Sequence, residues 1–363
     1  MAETKSKAEK LKEKLFDTHK NSGILRDDEY LEKGNLFSEG YKKFIDLSKT
    51  ERETVDTSIS IAREKGYKEF KLGSKLKAGD KFYYNNVGKA LILGTVGTAP
   101  LNEGIRIVAS HIDCPRIDLK PNPVFEKDEV AYFKTHYYGG IKKYQWTAIP
   151  LALHGVICLR DNKQIGVNIG ESEGDPLFVI SDLLPHLAQD QMKREASEII
   201  KGEELNVIIG GRPFRDDKIS DKVKLNILNI LFEKYGIVER DFFSAELSLV
   251  PAYKACDIGF DRALVGAYGH DDRVCAYPSL MAEIECKSPV HTSLCILADK
   301  EEVGSEGRTG LSSRMLEYFI EDLASMFEVS PRETMRNSYC LSSDVGAAFD
   351  PTFPDSFEKN NSA

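Results

Sequence analysis

Two adjacent acidic residues, Glu301 and Glu302, follow a short apolar run and are well placed to do chemistry. The run at residues 294–298 is typical of a short buried strand, and Gly304 ends the charged segment that follows it. Carboxylates at the end of a buried strand are costly unless something compensates their charge. A metal ion is the usual compensation, with one carboxylate as its ligand and the other free to transfer a proton. Alone, however, the segment fits a solvated loop better, so the other strand ends must decide.

Three further predicted strands, at residues 105–110, 263–267 and 339–341, also run into residues that can bind metals. Because ligands collect outside the carboxyl ends of the strands in an open α/β sheet, we expect these residues to meet in one cleft. One histidine among several carboxylates suits zinc, cobalt or manganese better than a thiolate site would. The residues concerned are His111 with Asp113, Asp271 with Asp272, and Asp344.

Each of these groups also has a simpler interpretation. His111 alone fits a hydrogen-bonded core histidine, residues 271–273 fit a helix cap or a surface ion pair, and Asp344 fits a turn. The spacing of His111 and Asp113 is more informative, because a metal-bound imidazole needs an acceptor on its other nitrogen. Four such groups at strand ends within one α/β pattern favour a metal site over coincidence.

Composition narrows the class of protein. The chain has 363 residues and a net charge of −9, which argues against binding to nucleic acid or to an anionic membrane. It contains no run of about 18 apolar residues, so we expect no transmembrane helix. Its seven cysteines are scattered and none forms a Cys-x-x-Cys pair. This usage predicts a cytoplasmic protein without a disulfide framework or a thiolate zinc site.

The order of the predicted elements indicates an α/β protein. Residues 122–170 hold short β segments without a helical period, whereas strands and helices alternate after residue 242. We therefore predict a catalytic domain with a mixed sheet flanked by helices, interrupted by a β-rich insert domain. The predicted limits are 1–118 for the first part of the catalytic domain, 119–250 for the insert, and 251–363 for the second part.

Four motifs carry a resemblance to a known family. Residues 109–115, 270–273, 300–305 and 342–345 resemble the motifs of the aspartyl aminopeptidase / aminopeptidase I family of metallo-aminopeptidases. The resemblance covers most of the chain and implies an α/β catalytic domain with a β-rich insert that serves subunit contact. It also implies a homo-oligomer, since members of this family assemble into large hollow tetrahedral dodecamers.

The resemblance implies roles for individual residues. It requires two divalent metal ions, zinc in the first place, with cobalt or manganese as alternatives. Asp113 then orients His111, and Asp272 supports Asp271. The remaining implied roles are general base for Glu301, first-metal ligands for His111 and Glu302, bridging ligand for Asp271, and second-metal ligand for Asp344.

Two histidines of the family need separate treatment. Relatives complete the second metal site with a histidine near the C-terminus, whereas this sequence contains no histidine after His291. We therefore expect either a fragment or an incomplete copy, with one ligand of the second metal missing. Relatives also send a histidine of the insert into a neighbouring subunit's active site. His186 lies in the corresponding region, although a partly buried histidine beside Pro185 is an equally good interpretation.

The predicted function is removal of the N-terminal residue of peptides by a di-metal-dependent aminopeptidase. The metals polarise the scissile carbonyl and lower the pKa of a bridging water, and Glu301 takes its proton and passes it to the leaving amine. One alternative is a related di-metal amidohydrolase, such as a deacylase or a carboxypeptidase. The other is a truncated, inactive subunit or scaffold. The sequence does not identify the preferred N-terminal residue.

Overall fold

The computed structural model describes residues 5–16, 20–216 and 218–362. Within these ranges, no helix combines the length and the apolar character that a membrane crossing requires. The helices are α1 (Lys7–Leu15), α2 (Ser22–Leu25), α3 (Asp28–Asp46), α4 (Glu51–Glu64), α5 (Lys222–Tyr235), α6 (His270–Glu285), α7 (Met315–Met326) and α8 (Pro331–Asn337). The strands are β1 (Lys68–Glu69), β2 (Lys81–Asn86), β3 (Ala90–Thr95), β4 (Arg106–His111), β5 (Arg116–Lys127), β6 (Val130–Tyr138), β7 (Leu151–Cys158), β8 (Gln164–Ile169), β9 (Val179–Ile180), β10 (Val207–Gly210), β11 (Ala245–Pro251), β12 (Cys256–Ile258), β13 (Leu264–Gly266), β14 (Ser293–Ala298) and β15 (Tyr339–Ser342).

A mixed sheet forms one half of the molecule, with the strand order β1-β2-β3-β14-β4-β15 among the described residues. Strands β2 and β3 form an antiparallel hairpin, and β3 pairs with β14 in the antiparallel direction. Strand β4 lies between β14 and β15 and is parallel to both. The predicted fold class, an α/β protein with a mixed sheet, is therefore confirmed.

Helices cover both faces of the mixed sheet because alternate side chains of its central strands are apolar on both sides. In β3, Leu91 and Leu93 pack with residues of α3, α4 and α6, whereas Ile92 packs with residues of α7. Strand β14 repeats this division, with Leu297 on the first face and Ile296 on the second. The result is a three-layer arrangement that fixes the central strands and therefore the residues at their ends.

An antiparallel sheet forms the other half, with the order β8-β7-β11-β5-β6-β10-β9 among the described residues. Its core is apolar and includes Ile117, Leu153, Leu249 and the single tryptophan of the chain, Trp146. Helix α5 packs on β5, β6 and β10 through its apolar side. All of the pairings in this sheet are antiparallel, unlike those around β4.

The chain passes from one sheet to the other close to the predicted site. Strand β4 ends at His111 in the mixed sheet, and β5 begins at Arg116 in the antiparallel sheet. The antiparallel sheet ends with β11 at Pro251. These limits lie near the predicted insert at 119–250, and the exact division into domains stays a prediction.

One predicted strand has a different place. The segment predicted at residues 263–267 forms β13, which among the described residues pairs with β12 in a short antiparallel ribbon and does not join the mixed sheet. The prediction that four strand ends meet at one sheet edge is therefore wrong for this segment. The helix that follows, α6, packs against β4 and brings its first residues to that edge instead.

Candidate metal centre

Three parallel strands end together at one edge of the mixed sheet. Ala298, the last residue of β14, is paired with His111, the last residue of β4, while Ser342 ends β15 on the other side. The chain after β14 and β15 therefore delivers Glu301, Glu302 and Asp344 to the end of β4. Residues 271–272 arrive at the same place from the first turn of α6.

The imidazole of His111 is the centre of this group. Its Nε2 atom lies 3.1 Å from Asp271 Oδ1, 3.6 Å from Glu301 Oε2 and 3.8 Å from Asp344 Oδ1. The side chain of His111 is 4% exposed, whereas those of the three carboxylates are 47–58% exposed. The histidine therefore lies at the buried base of the site, and the carboxylates line its solvent-exposed opening, which a substrate can enter.

Two groups of three side chains have the spacing of a metal site. In each, one nitrogen or oxygen atom per residue lies within 4.8 Å of the others. Glu301 belongs to neither group in the described part of the chain, although Glu302 does. The groups are His111 with Asp271 and Glu302, and His111 with Asp272 and Asp344.

The electrostatics of these groups fit a divalent cation. Asp272 is fully buried, and neither of its carboxylate oxygens has a hydrogen-bond partner of normal geometry among the described residues. Burial raises the pKa of Asp272 to about 6. Burial, together with the charge of Asp271, raises the pKa of Glu302 to about 7. Because a bound cation would stabilise the ionised form of both carboxyl groups, the residues present fit zinc and its usual nitrogen and oxygen ligands.

The buried carboxylate of Asp113 contacts several parts of the centre at once. It is fully buried, and it accepts hydrogen bonds from the backbone N–H groups of Glu301, at 3.1 Å, and Glu302, at 3.2 Å. Its Oδ1 atom lies 3.3 Å from His111 Nδ1, and its Oδ2 atom accepts a 2.7 Å hydrogen bond from the Tyr138 hydroxyl. Burial opposes the charge of Asp113, but the hydrogen bonds from His111 and Tyr138 hold its pKa below the usual value.

The orientation of His111 follows from this arrangement. Its Nδ1 atom lies 3.0 Å from the backbone carbonyl oxygen of Asp113, so the Nε2 atom is the one that faces the carboxylates. Burial opposes protonation of the imidazole, but the hydrogen bond and charge of Asp113 raise the pKa of His111 to about 9. Since a metal ligand must be the neutral imidazole, metal binding would release this proton.

Two other histidines, His270 and His186, belong to neither group of possible metal ligands among the described residues. His270 makes a 2.8 Å contact through Nδ1 with the Tyr41 hydroxyl and a 3.0 Å contact through Nε2 with the Val265 carbonyl oxygen, so it fastens the start of α6. His186 is exposed on the segment 181–187, and no hydrogen bond or ion pair joins it to another described residue. The chain by itself therefore does not bring His186 to the centre.

Sequence reasoning missed the contribution of the antiparallel sheet. Tyr138 ends β6, and the next residue, Gly139, has a φ of +69° and lies against Glu302. A Cβ atom on Gly139 would lie 3.2 Å from the Glu302 Cβ, so glycine is needed both for the backbone conformation and for the close approach. The local signal in the sequence is the pair Gly139-Gly140, which directly follows Tyr138.

Comparison with known proteins identifies the family of this chain. The family described as "Aminopeptidase I zinc metalloprotease (M18)" matches residues 44–363. A probable M18 family aminopeptidase 1 from Clostridium acetobutylicum is 48% identical over 357 residues, which cover 96% of this chain and 77% of that protein.

Solved structures give the same result. The crystal structure of the M18 aminopeptidase from Thermotoga maritima is 40% identical and superposes with a TM-score of 0.89, covering 95% of this chain and 76% of that one. The S. cerevisiae mApe1 dodecamer shares the fold at 21% identity, with a TM-score of 0.72 over 90% of this chain and 75% of that one. The family match disfavours the deacylase and carboxypeptidase alternatives. This chain belongs to the M18 family of aminopeptidase I zinc metalloproteases.

Proposed function

We propose that this centre hydrolyses the first peptide bond of peptide substrates, with a division of roles between Glu301 and Glu302. The observation that carries the proposal is that Glu302 completes a group of three ligands with His111 and Asp271, whereas Glu301 does not. A general base must lie close to the reacting water without being locked onto a metal. Glu301 meets this condition, because its carboxylate is half-exposed at the opening of the site and belongs to neither group of ligands.

The second part of the proposal concerns the metal ligands. One imidazole nitrogen binds one metal ion, so His111 can serve only one of the two groups to which it belongs. We assign it to the group with Glu302, which leaves Asp344 for the second ion. The Oδ1 atom of Asp271 lies 3.1 Å from His111 Nε2, and Asp271 is the proposed bridging ligand. Asp113 positions His111, and Asp272 is the buried support beside the second ion.

The chemistry then follows from the placement of these side chains. A bound divalent ion polarises a carbonyl oxygen and lowers the pKa of a water ligand. Glu301 takes a proton from the attacking water and donates it to the leaving amine. The backbone N–H of Glu301 donates a hydrogen bond to Asp113, which restrains the turn that carries Glu301 during this transfer.

The experiment compares Glu301→Gln, Glu302→Gln and the control Glu306→Gln, in which an exposed acid of the same loop is changed. Activity towards aminoacyl chromogenic substrates is measured against the concentration of added zinc, cobalt or manganese. We expect Glu301→Gln to retain metal but to lose about 10²–10⁴-fold in rate, the usual contribution of a positioned base. Glu302→Gln should weaken metal binding first and recover part of its activity at high metal concentration. The control should behave like the unchanged protein.

The opposite pattern would overturn the assignment. If added metal restores Glu301→Gln, or if Glu302→Gln is inactive with its full complement of metal, the two roles are reversed. A protein that binds metal but cleaves no aminoacyl substrate would instead support the inactive-subunit alternative. The same substrate series identifies the preferred N-terminal residue.

We also propose that the chain forms a homo-oligomer, of dodecameric size by analogy with the yeast relative. The segment around His186 supports this proposal, because it exposes Leu183, Leu184 and Leu187 together on the molecule's surface. In such an assembly His186 would approach the centre of a neighbouring subunit. Light scattering should give a mass many times 40.7 kDa, and a monomer at assay concentration would contradict the proposal.

The remaining proposals concern the cell. A cytoplasmic location is supported by the seven cysteines, all of which are free thiols in the structure. The net charge of −9 supports an absence of nucleic-acid and membrane partners. Fractionation of cells that produce the protein, with thiol labelling of the recovered chain, tests these points.

A further inference from the structure

Tyr138 links the antiparallel sheet to the metal centre. It is the last residue of β6, and its hydroxyl donates a 2.7 Å hydrogen bond to Asp113 Oδ2. Tyr138 is 9% exposed and Asp113 is fully buried, so bulk water cannot readily replace this bond. The donor therefore comes from one sheet and the acceptor from the other.

The bond decides which way the Asp113 carboxylate faces. Oδ1 receives the Glu301 N–H and lies against His111, whereas Oδ2 receives the Glu302 N–H and the Tyr138 hydroxyl. Without the hydroxyl, Oδ2 would keep only the longer 3.2 Å bond from the Glu302 backbone. The carboxylate could then turn about its side-chain bond, which would release His111 and the Glu301–Glu302 turn together.

The ring of Tyr138 is itself held firmly. The Arg116 guanidinium lies 3.9 Å from the ring centroid, close enough for a cation–π contact. Arg116 is in turn paired with Asp118 at 2.8 Å and with Glu51, at the start of α4, at 3.2 Å. On the other side, Gly139 is pressed against Glu302. The hydroxyl is therefore held in a prepared position and does not need to be ordered when a metal arrives.

We propose that Tyr138 is a positioning residue for the reaction, acting through Asp113 on His111 and on the turn that carries the two glutamates. The proposal rests on the proposed function for its kinetic part, but not for its effect on metal binding. By this route the antiparallel sheet, beyond any role in subunit contact, completes the active site of its own chain.

The test uses Tyr138→Phe in the full chain, with Tyr137→Phe as the matched control. Tyr137 is the preceding residue of the same strand, is 39% exposed and makes no contact with Asp113. Zinc affinity is measured by competition with a coloured chelator, and the cobalt form is examined by its absorption spectrum. We expect Tyr138→Phe to weaken zinc binding by about 10–100-fold, as loss of a partner behind a metal ligand typically does. We also expect a changed cobalt spectrum and a lower kcat at nearly constant KM, because Tyr138 is nearly buried and acts through Asp113.

A second pair of variants separates positioning from a general structural effect. In the Asp113→Asn background, Tyr138→Phe should cause little further loss of zinc affinity, because both changes break the same link. An equal loss in both backgrounds would overturn the proposal, as would unchanged zinc affinity, spectrum and kcat in Tyr138→Phe. Failure of Tyr138→Phe to fold would assign the hydroxyl to structure instead. If the unchanged protein cleaves no aminoacyl substrate but Tyr138→Phe still weakens zinc binding, the proposed function fails and the role of Tyr138 stands.

Discussion

The mixed sheet and the antiparallel sheet both have apolar cores, yet among the described residues the candidate metal ligands gather at the end of the first sheet. In the mixed sheet, β14, β4 and β15 run in the same direction, so their carboxyl ends lie side by side. In the antiparallel sheet, neighbouring strands end at opposite edges, so the residues after each strand are dispersed. The comparison teaches that strand direction, more than composition, decides where polar residues can form a site.

The antiparallel sheet contributes through its boundary with the mixed sheet. Its strand β6 supplies Tyr138, and a group of buried charges lies behind that residue. Glu51 pairs with Lys89 at 3.0 Å and with Arg116 at 3.2 Å across this boundary. Burial opposes the charge of Glu51, but Arg116 and Lys89 lower its pKa to about 2. Breaking one partner of such a buried group is expected to be costly, so the two sheets should behave as one unit.

The largest effect should come from His111→Ala, which removes the nitrogen ligand that both metal groups share. We expect activity to fall to background and the bound metal to decrease, while the fold is kept because His111 lies at a strand end. Elemental analysis and circular dichroism measure these outcomes. His291→Ala is the control, since His291 precedes β14 at the opposite end of the sheet. Unchanged metal content in His111→Ala would show that His111 is not a metal ligand and would exclude the proposed site.

Two core substitutions, one in each sheet, have a smaller expected effect and test whether the two sheets unfold together. Leu297→Ala in the mixed sheet and Leu249→Ala in the antiparallel sheet each empty a fully buried position and should each lower the free energy of unfolding by about 2–5 kcal/mol. The fluorescence of Trp146 reports on the antiparallel sheet, whose core contains it, while circular dichroism reports on both sheets.

We expect a single transition, so that each variant shifts both signals to the same denaturant midpoint. A Leu297→Ala protein whose Trp146 signal kept its original midpoint would show that the antiparallel sheet unfolds independently.

The smallest effect is a dependence of stability on pH at the boundary. His154 in β7 is buried between Glu53 of α4, at 2.8 Å, and Glu171, at 3.2 Å. Burial opposes the charge of His154, but hydrogen bonds to Glu171 and Glu53 raise its pKa above the usual value. Its stabilising contribution is therefore complete below the pKa of about 6.5 of the unfolded chain and is lost as the pH rises through the higher folded value.

Denaturant unfolding between pH 6 and pH 9 measures this contribution. The His154→Gln variant should be less stable at the acidic end and should lose this part of the pH dependence. An identical pH dependence in the variant and the unchanged protein would show that His154 does not titrate as described.

Much of the centre could be predicted from the sequence, because a short apolar run with an abrupt polar end is typical of a parallel strand in an α/β sheet. The runs that precede His111, Glu301 and Asp344 are β4, β14 and β15, all in one sheet. The hairpin of β2 and β3 also has a local signal, because the side chain of Asn85, in β2 just before the turn, accepts a hydrogen bond from the Gly88 backbone. In each case the signal is local.

The parts that could not be predicted depend on contacts between distant segments. The apolar run before His270 has the composition of a sheet strand, but it pairs with β12 instead, and pairing partners leave no local trace. Tyr138 carries no motif, and only the fold places it against Asp113. Likewise, nothing in the pair Asp271-Asp272 shows that the second carboxylate is fully buried while the first is largely exposed.

The position of β4 between two neighbours has a consequence for the timing of motions at the centre. His111 is the last residue of β4, a strand with partners on both sides. Asp344 instead follows β15, which lies at the edge of the described sheet and in which Tyr339 and Leu341 are 70% and 74% exposed. Local opening is easiest where few buried contacts resist it, so backbone amides near Asp344 should exchange with solvent sooner than those of β4. We therefore expect the His111 side of the centre to stay ordered while the Asp344 side opens locally. An arriving ion would meet a ready half-site first, and ordering of the other half would follow.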